Sequence, residues 1–371
     1  MRKMLKNLIG NTSKIDIFLD SAKQNPLIVL YGAGFAMPSI LAKLEKYGFS
    51  IAAICDSDVK KHGEKFRGIY PIMSVEEASR GFPDARFLIS SPEYFEEIHS
   101  FLSECLEEHK LCDVDLECAH YFEKGEFAAF FKSELQRFSD VYDRLEDDES
   151  KDTYFKVIKA HMSGQRKDFE DAFTGNDDWY LFRSLLKPAH DTSYVDCGAY
   201  SGDTIGLFLD AADEGYRKIF AFEPDPLMLP SLMEISDSQN GKIEIIPKGL
   251  SSHDGTISFR ANGVYSSIVT TNTDDDEELI SISIARLDSL LKEEEISIVK
   301  MDIEGGEYDA LQGAAELISK HKPKLAICLY HKVDDFVRIA ELIVQLVPEY
   351  KLRLKHQTKS CTDTILFATL N

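Results

Sequence analysis

Apolar residues recur along this chain in two rhythms. Unbroken apolar runs bounded by glycine, proline or acids predict buried strands, and apolar positions three or four apart predict helices. Leu5, Leu8, Ile9, Ile15, Phe18 and Leu19 predict short helical pieces in an N-terminal segment, residues 1–25, closed by Asn25-Pro26. The run at 27–31 predicts a strand that enters the turn Gly32-Ala33-Gly34-Phe35-Ala36, with a helix through Ile40, Leu41 and Leu44 behind it. A second run, 51–55, ends in Asp56-Ser57-Asp58. A segment at 71–73, a helix at 75–78, a strand at 85–90 and a helix at 93–106 complete a small Rossmann-like α/β domain spanning 26–115.

The rhythm then changes. Phe127, Phe130, Phe131, Leu135, Phe138, Val141, Tyr142 and Leu145 recur at helical spacing. Glu146-Asp147-Asp148-Glu149 interrupts the pattern, residues 154–162 resume it, and Gly164 separates a further piece at 169–173. Residues 116–190 read as a helical connector whose rings could form a substrate-facing wall, although large aromatic faces are more often core because they need burial. Asn176-Asp177-Asp178 is placed to cap a helix at 179–186 that ends before Pro188.

A second α/β domain occupies 191–371. Strands are expected at 193–197, 218–222, 242–246, 256–260, 281–285, 298–301, 324–330, 351–355 and 364–369. Helices are expected at 204–209, 227–233, 286–291, 308–319 and from Asp334-Asp335 to Val347. The polar stretch 261–279 reads as a loop whose length suits a lid or an acceptor-binding segment. A βαβ series that closes with two strands in succession fits a methyltransferase-like sheet better than a plain dinucleotide fold.

Composition narrows the class. A chain of 371 residues calls for two domains, and 44% apolar with 29% charged residues is ordinary for a globular protein. A formal net charge of -22 makes nucleic acid and anionic membrane poor partners. No apolar run is long enough for membrane insertion. Met1-Arg2-Lys3-Met4-Leu5 lacks the apolar run of a signal peptide, so a cytoplasmic protein is expected. The seven cysteines, at 55, 105, 112, 118, 197, 328 and 361, show no paired zinc spacing and read as reduced structural thiols. A homo-oligomer is left open.

Three strand ends carry the candidate chemistry. Tyr194-Val195-Asp196-Cys197 runs into Gly198-Ala199-Tyr200-Ser201-Gly202, Phe222 into Glu223, and Met301 into Asp302. In an open α/β sheet such ends face one crevice. A glycine turn beside several carboxylates suits a nucleoside ligand that carries hydroxyls and a positive centre. In the first α/β domain Gly32, Gly34 and Asp56 form a shorter version of the same pattern, without the third glycine of the dinucleotide fingerprint. That pattern supports an alternative reading, an NAD- or nucleotide-sugar-binding protein or oxidoreductase. A non-catalytic binding module is the other alternative.

Residues from about 176 to 369 resemble the FkbM-type methyltransferases. The resemblance rests on VDCGAYSGDT at 195–204, FAFEPDP at 220–226, IPKGLSS at 246–252, RLDSLL at 286–291, KMDIEGGEYDAL at 300–311, LAICLYHKVDD at 325–335 and TDTILFA at 362–368. It implies an S-adenosylmethionine-dependent methyltransferase sheet and O-methylation of a sugar, glycan or related metabolite. YGAG at 31–34, CDSD at 55–58 and YPIMSVEEA at 70–78 resemble the nucleotide-binding-like domain in front of some sugar-modifying enzymes.

Under this resemblance Gly198 and Gly202 close the backbone around the methionine part of the cofactor. Asp196 orients the turn or meets the methionine ammonium, and Glu223 accepts both ribose hydroxyls. Gly249 and Leu250 lie near the adenine, with Ser251 at its edge. Asp302, Glu304 and His331 stand where cofactor and acceptor meet, and each is a candidate to receive the acceptor's proton. The unperturbed histidine pKa near neutrality favours His331 for that role. Glu307 either binds the acceptor or caps the helix that follows. No metal is expected, although a carboxylate–histidine cluster could hold a divalent cation.

Overall fold

The computed structural model describes residues 2–370 apart from 11–12, 25, 35–36, 92–93, 113, 115–120, 214, 261–266 and 269–278. Asn25, Phe35, Ala36, Glu93, Cys118 and most of the expected loop at 261–279 therefore lie outside the described residues. The chain divides into two compact units. The first comprises residues 1–135, 155–173 and 358–361; the second comprises 136–154, 174–357 and 362–371. The division falls within the helix Asp148–Ser163.

In the first unit β1 (Leu27–Tyr31), β2 (Ser50–Cys55), β3 (Lys65–Phe66), β4 (Tyr70–Met73) and β5 (Arg86–Ile89) form one sheet in the order β3-β4-β2-β1-β5. All pairs are parallel except β3–β4. Val29, Tyr31, Phe87 and Ile89 pack with Phe95 and Leu102 of the helix Phe95–Cys105, which buries one face of the sheet. The turn after β1 is closed by Asp56, whose Oδ2 accepts the Ala33 N–H at 2.9 Å and meets Lys61 Nζ at 2.9 Å. In this structure Asp56 braces its own glycine turn.

The second unit holds β6 (Ser193–Cys197), β7 (Lys218–Phe222), β8 (Ile243–Ile246), β9 (Gly249–Leu250), β10 (Gly255–Arg260), β11 (Ser267–Ile268), β12 (Leu279–Ala285), β13 (Ile298–Met301), β14 (Lys324–Cys328), β15 (Lys351–His356) and β16 (Thr364–Thr369). The main sheet runs β15-β16-β14-β13-β6-β7-β8, and β9 to β12 form a second sheet of order β11-β10-β12-β9. In the main sheet β16 is antiparallel to both β14 and β15, and the other pairs are parallel. Every residue of β6, β13 and β16 is buried, the pattern of strands covered on both faces. This is the Rossmann-like methyltransferase fold, α/β in class. Strand order reverses between β6 and β13, so a crevice opens at the carboxyl ends of these strands.

Three expected elements differ. The helix expected at 179–186 is a 3₁₀ turn over Trp179–Leu181, and Tyr180 and Leu181 take φ of +55° and +53°. Asp178 receives Arg183 N–H and Ser184 Oγ–H, so its capping capacity is used to tighten a turn. Second, the acidic run interrupts the connector only at 146–147. Asp148 and Glu149 already belong to the next helix, where acids favour the first turn. Third, the helix expected at 308–319 is two, Glu307–Gln312 and Ala315–His321. Between them the Ser251 carbonyl comes within 2.0 Å of where a Gly313 Cβ would sit, so the backbone of another segment occupies the break.

Candidate active site

The turn after β6 is built around one close approach. Gly198 has φ of +79°, and a Cβ there would lie 1.9 Å from the Asp302 carbonyl oxygen. Glycine alone satisfies both conditions. Beneath the turn Asp196 is fully buried. Its Oδ2 accepts Thr204 Oγ1–H at 2.5 Å and its Oδ1 lies 3.1 Å from Lys300 Nζ. Lys300 also donates to the Gly198 carbonyl at 2.7 Å. Burial alone would lower the Lys300 pKa, but Asp196, Asp302 and Asp203 outweigh it and raise it, so the amine stays charged. Asp196 and Lys300 together brace the turn from behind.

Glu223 ends β7 and is 6% exposed. Its Oε2 accepts Tyr200 N–H at 2.9 Å and its Oε1 accepts Asp225 N–H at 2.8 Å. A carboxylate oxygen accepts two bonds, so each keeps acceptor capacity. Burial raises the Glu223 pKa, against the pull of these two N–H groups. The Glu223 N–H donates to the Ile246 carbonyl at 3.3 Å, which ties this end to the end of β8. Gly249 and Leu250 follow there as β9, paired in parallel with Ile284 and Ala285. Gly202 begins the helix Asp203–Ala211 with φ of +93°.

Asp302, Glu304 and His331 are brought together. Asp302 Oδ2 accepts Tyr180 O–H at 2.9 Å and Oδ1 accepts Tyr330 O–H at 3.0 Å. His331 Nε2 lies 3.5 Å from Asp302 Oδ1 and 3.6 Å from Glu304 Oε2. Its Nδ1 is 2.9 Å from Glu307 Oε1, which also accepts Ile303 N–H at 2.8 Å. The side chains of Asp302 and Glu304 are 20% and 31% exposed, against 2% and 0% for His331 and Glu307. The two carboxylates thus face the crevice, and the histidine and its partner stand behind them.

The charges follow from this layering. Burial would lower His331, but Glu307, Glu304 and Asp302 raise it to about 10, so it is an imidazolium at neutral pH. Burial pushes Asp302 up, yet Lys300, His331 and the two tyrosine hydroxyls hold it below the usual carboxylate range. Glu304 is raised to about 8, first by burial and then by Asp302, Glu307 and Asp363. Histidine therefore begins with the proton that its free pKa would let it accept, and Glu304 has the pKa closest to neutrality of the three. Asp302, Glu307 and His331 each place one donor atom within 4.8 Å of the others, a spacing a divalent cation uses.

Tyr180, Lys300, Tyr330 and Asp363 join the site without having been singled out in the sequence. Lys300 and Tyr330 lie within the segments 300–311 and 325–335, and a lysine inside a buried strand is itself a signal, because it needs a buried acid. Tyr180 is 122 residues from Asp302 and has no local signal.

Fold and crevice define the class of architecture: the Rossmann-like α/β sheet of methyltransferases, with its crevice at the carboxyl ends of β6 and β13. Residues 196–357 match the family described as methyltransferase FkbM domain. The chain is 34% identical over 142 residues to the hexuronic acid methyltransferase AglP of Haloferax volcanii, a match covering 36% of this chain. It spans 54%, about half, of that relative's length. The crystal structure of methyltransferase FkbM from Methylobacillus flagellatus KT has the same fold, with a TM-score of 0.72 and 21% identity over 97% of this chain and 94% of that one. Among the described residues no helix is long and apolar enough to cross a membrane.

Proposed function

We propose that this protein is an S-adenosylmethionine-dependent O-methyltransferase acting on a hydroxyl of a sugar, glycan or related metabolite. The observation that carries the reading is Glu223: a buried carboxylate at the carboxyl end of β7, the strand next to β6, fixed by two backbone N–H groups and keeping acceptor capacity on both oxygens. That fits a ribose with two adjacent hydroxyls. Gly198 and Gly202 shape the backbone at the N-terminus of the helix Asp203–Ala211 for the amino-acid end of the ligand. The name of the Haloferax relative supports a sugar acceptor.

When bound, S-adenosylmethionine would supply a sulfonium methyl group for in-line attack by the acceptor oxygen, with the neutral thioether as the leaving group. The residues of the chain align the acceptor and handle its proton. Tyr180 and Tyr330 fix both oxygens of Asp302, which orients the acceptor hydroxyl. Glu304, raised to about 8, takes the proton as it leaves. The imidazolium of His331, held by Glu307, keeps the two carboxylates close together.

Calorimetric titration with S-adenosylmethionine tests this. Wild type is expected to bind saturably. Glu223→Ala is expected to lose roughly 3 kcal/mol, on the order of a hundredfold, because two hydrogen bonds to a charged acceptor disappear. Folded wild type that fails to bind after removal of copurified ligand, or E223A that binds as tightly as wild type, overturns the reading.

A further inference from the structure

The turn at Tyr180 takes a shape that its own residues disfavour. Tyr180 and Leu181 have φ of +55° and +53°, the left-handed region that bulky side chains rarely enter. Such conformations persist only where the surroundings impose them, and they gather at functional sites. Part of the constraint lies inside the turn, where Leu181 N–H donates to the Asp178 carbonyl at 2.9 Å. The rest comes from a residue 177 positions further on.

Gln357 directly follows β15 and is 1% exposed. Its Oε1 accepts Tyr180 N–H at 3.0 Å, and its Nε2 donates to the Asp178 carbonyl at 3.2 Å. Two sides of the turn are thus held by the two ends of one amide. That needs a donor and an acceptor on a single uncharged group, which among side chains of this length only glutamine offers. The Gln357 N–H donates to the Asp363 carbonyl at 3.0 Å, so the clamp is itself anchored where β15 ends and β16 begins.

What the clamp presents is the Tyr180 side chain. Tyr180 is buried, and its hydroxyl donates to Asp302 Oδ2 at 2.9 Å and lies 3.6 Å from Cys328 Sγ. Lys300 Nζ, which fastens the Gly198 turn, stands 5.6 Å from the centre of the Tyr180 ring. One side chain therefore meets the carboxylate on the acceptor side and the lysine behind the cofactor side. A closely packed ring has little freedom to re-aim its hydroxyl, so the backbone that carries it sets where the hydroxyl lies.

We propose, resting on the O-methyltransferase reading above, that Gln357 is a positioning residue for methyl transfer: by holding the left-handed turn it fixes the Tyr180 hydroxyl that orients Asp302. An apolar side chain of the same length would fill the same space and could not do this.

The test replaces Gln357 with methionine, which keeps the length and removes both bonds. Trp179, the only tryptophan, is next to Tyr180 and reads the turn without any acceptor. Its emission is expected to shift in Q357M and to stay as in wild type in Tyr330→Phe, which removes the other hydroxyl on Asp302. Transfer of tritiated methyl from S-adenosylmethionine to the methyl glycosides of glucose, galactose and mannose follows the chemistry. Q357M and Tyr180→Phe are each expected to lower kcat about tenfold or more, the worth of a hydrogen bond to a charged group, with S-adenosylmethionine affinity unchanged by calorimetry. The double variant is expected to be no slower than Tyr180→Phe alone, because both changes remove the same contact. Gln357→Glu is a second variant. Protonated, its carboxyl keeps both bonds; ionised, it loses the one it donates. Its emission is expected to match wild type at acid pH and to depart from it as pH rises.

Unchanged emission in Q357M, or losses that add in the double variant, overturns the inference. If Q357M does not fold, emission of Gln357→Glu that follows wild type at every pH overturns it. Cofactor binding with no glycoside methylated overturns the sugar acceptor, and not the clamp, which the Trp179 emission supports or overturns by itself. Failure of wild type to bind the cofactor overturns the methyltransferase reading and, with it, the role given to Gln357.

Discussion

Replacing Lys300 with methionine removes a charge and keeps most of the side chain's bulk. Lys300 is 2% exposed, 3.1 Å from Asp196 Oδ1 and 2.7 Å from the Gly198 carbonyl. In K300M a fully buried carboxylate loses its cationic partner while keeping the Thr204 hydroxyl, and the glycine turn loses its anchor. Breaking one side of a buried pair costs about 3–5 kcal/mol. For a domain of roughly 150–250 residues, each kcal/mol moves the midpoint by about 2–4 °C. The melting midpoint of the second unit is therefore expected to drop by about 6–20 °C. Trp179 is the only tryptophan in the chain and belongs to this unit, so its fluorescence follows the relevant transition. Asp196→Asn combined with K300M should lose less than the two single changes added together, because the uncompensated charge is gone. A K300M midpoint within about 2 °C of wild type, against the expected shift, refutes the view that this pair braces the turn.

Other consequences can be measured on the same protein. Gly198→Ala places a methyl 1.9 Å from the Asp302 carbonyl at φ of +79°, so cofactor binding by calorimetry is expected to be abolished or the second unit to melt earlier by several degrees; unchanged binding and melting contradict it. Methyl transfer should rise with pH through about 8 as Glu304 loses its proton, and Glu304→Gln should fall on the order of a hundredfold with a flat profile; a wild-type profile flat from pH 6.5 to 9 argues against Glu304 as the acceptor. Stability should decline as pH rises. His331 has a folded pKa of about 10 against 6.5 unfolded, so its contribution is complete below pH 6.5 and lost on passing 10. Glu304, at about 8 against 4.5, acts in the same direction between those values. Trp179 melting midpoints that hold level or climb from pH 6.5 to 10 contradict this, and Glu307→Gln should flatten the slope.

The centre of the main sheet in the second unit was readable because β6 and β13 are fully buried and run into glycine or acid, as β7 does. Asp196, Glu223 and Asp302 stand at strand ends, and strand ends are what an apolar pattern locates best. The charge state of His331 was not readable. A free histidine titrates near neutrality, and only the fold places Glu307 on one nitrogen and Glu304 and Asp302 near the other. Tyr180 was misplaced for a related reason. Local capping residues pointed to a helix, whereas the site requires a left-handed turn that sends the hydroxyl to Asp302. The break at Gly313 depended on Ser251, more than 60 residues earlier in sequence, and no local pattern carries that.

The contact between Gly198 and the Asp302 backbone has a consequence for how such a protein diversifies. Two turns from different strands share one tight seam, with Lys300 fastening it. Neither can shift without the other, so a change in 196–202 calls for a matching change in 300–307. Asp363, which precedes β16, lies outside that seam and still feels the charge of Asp302. Sequence diversity that leaves these two segments and the buried core untouched should yield folded variants, whereas the same diversity placed across the seam should yield mostly unfolded chains.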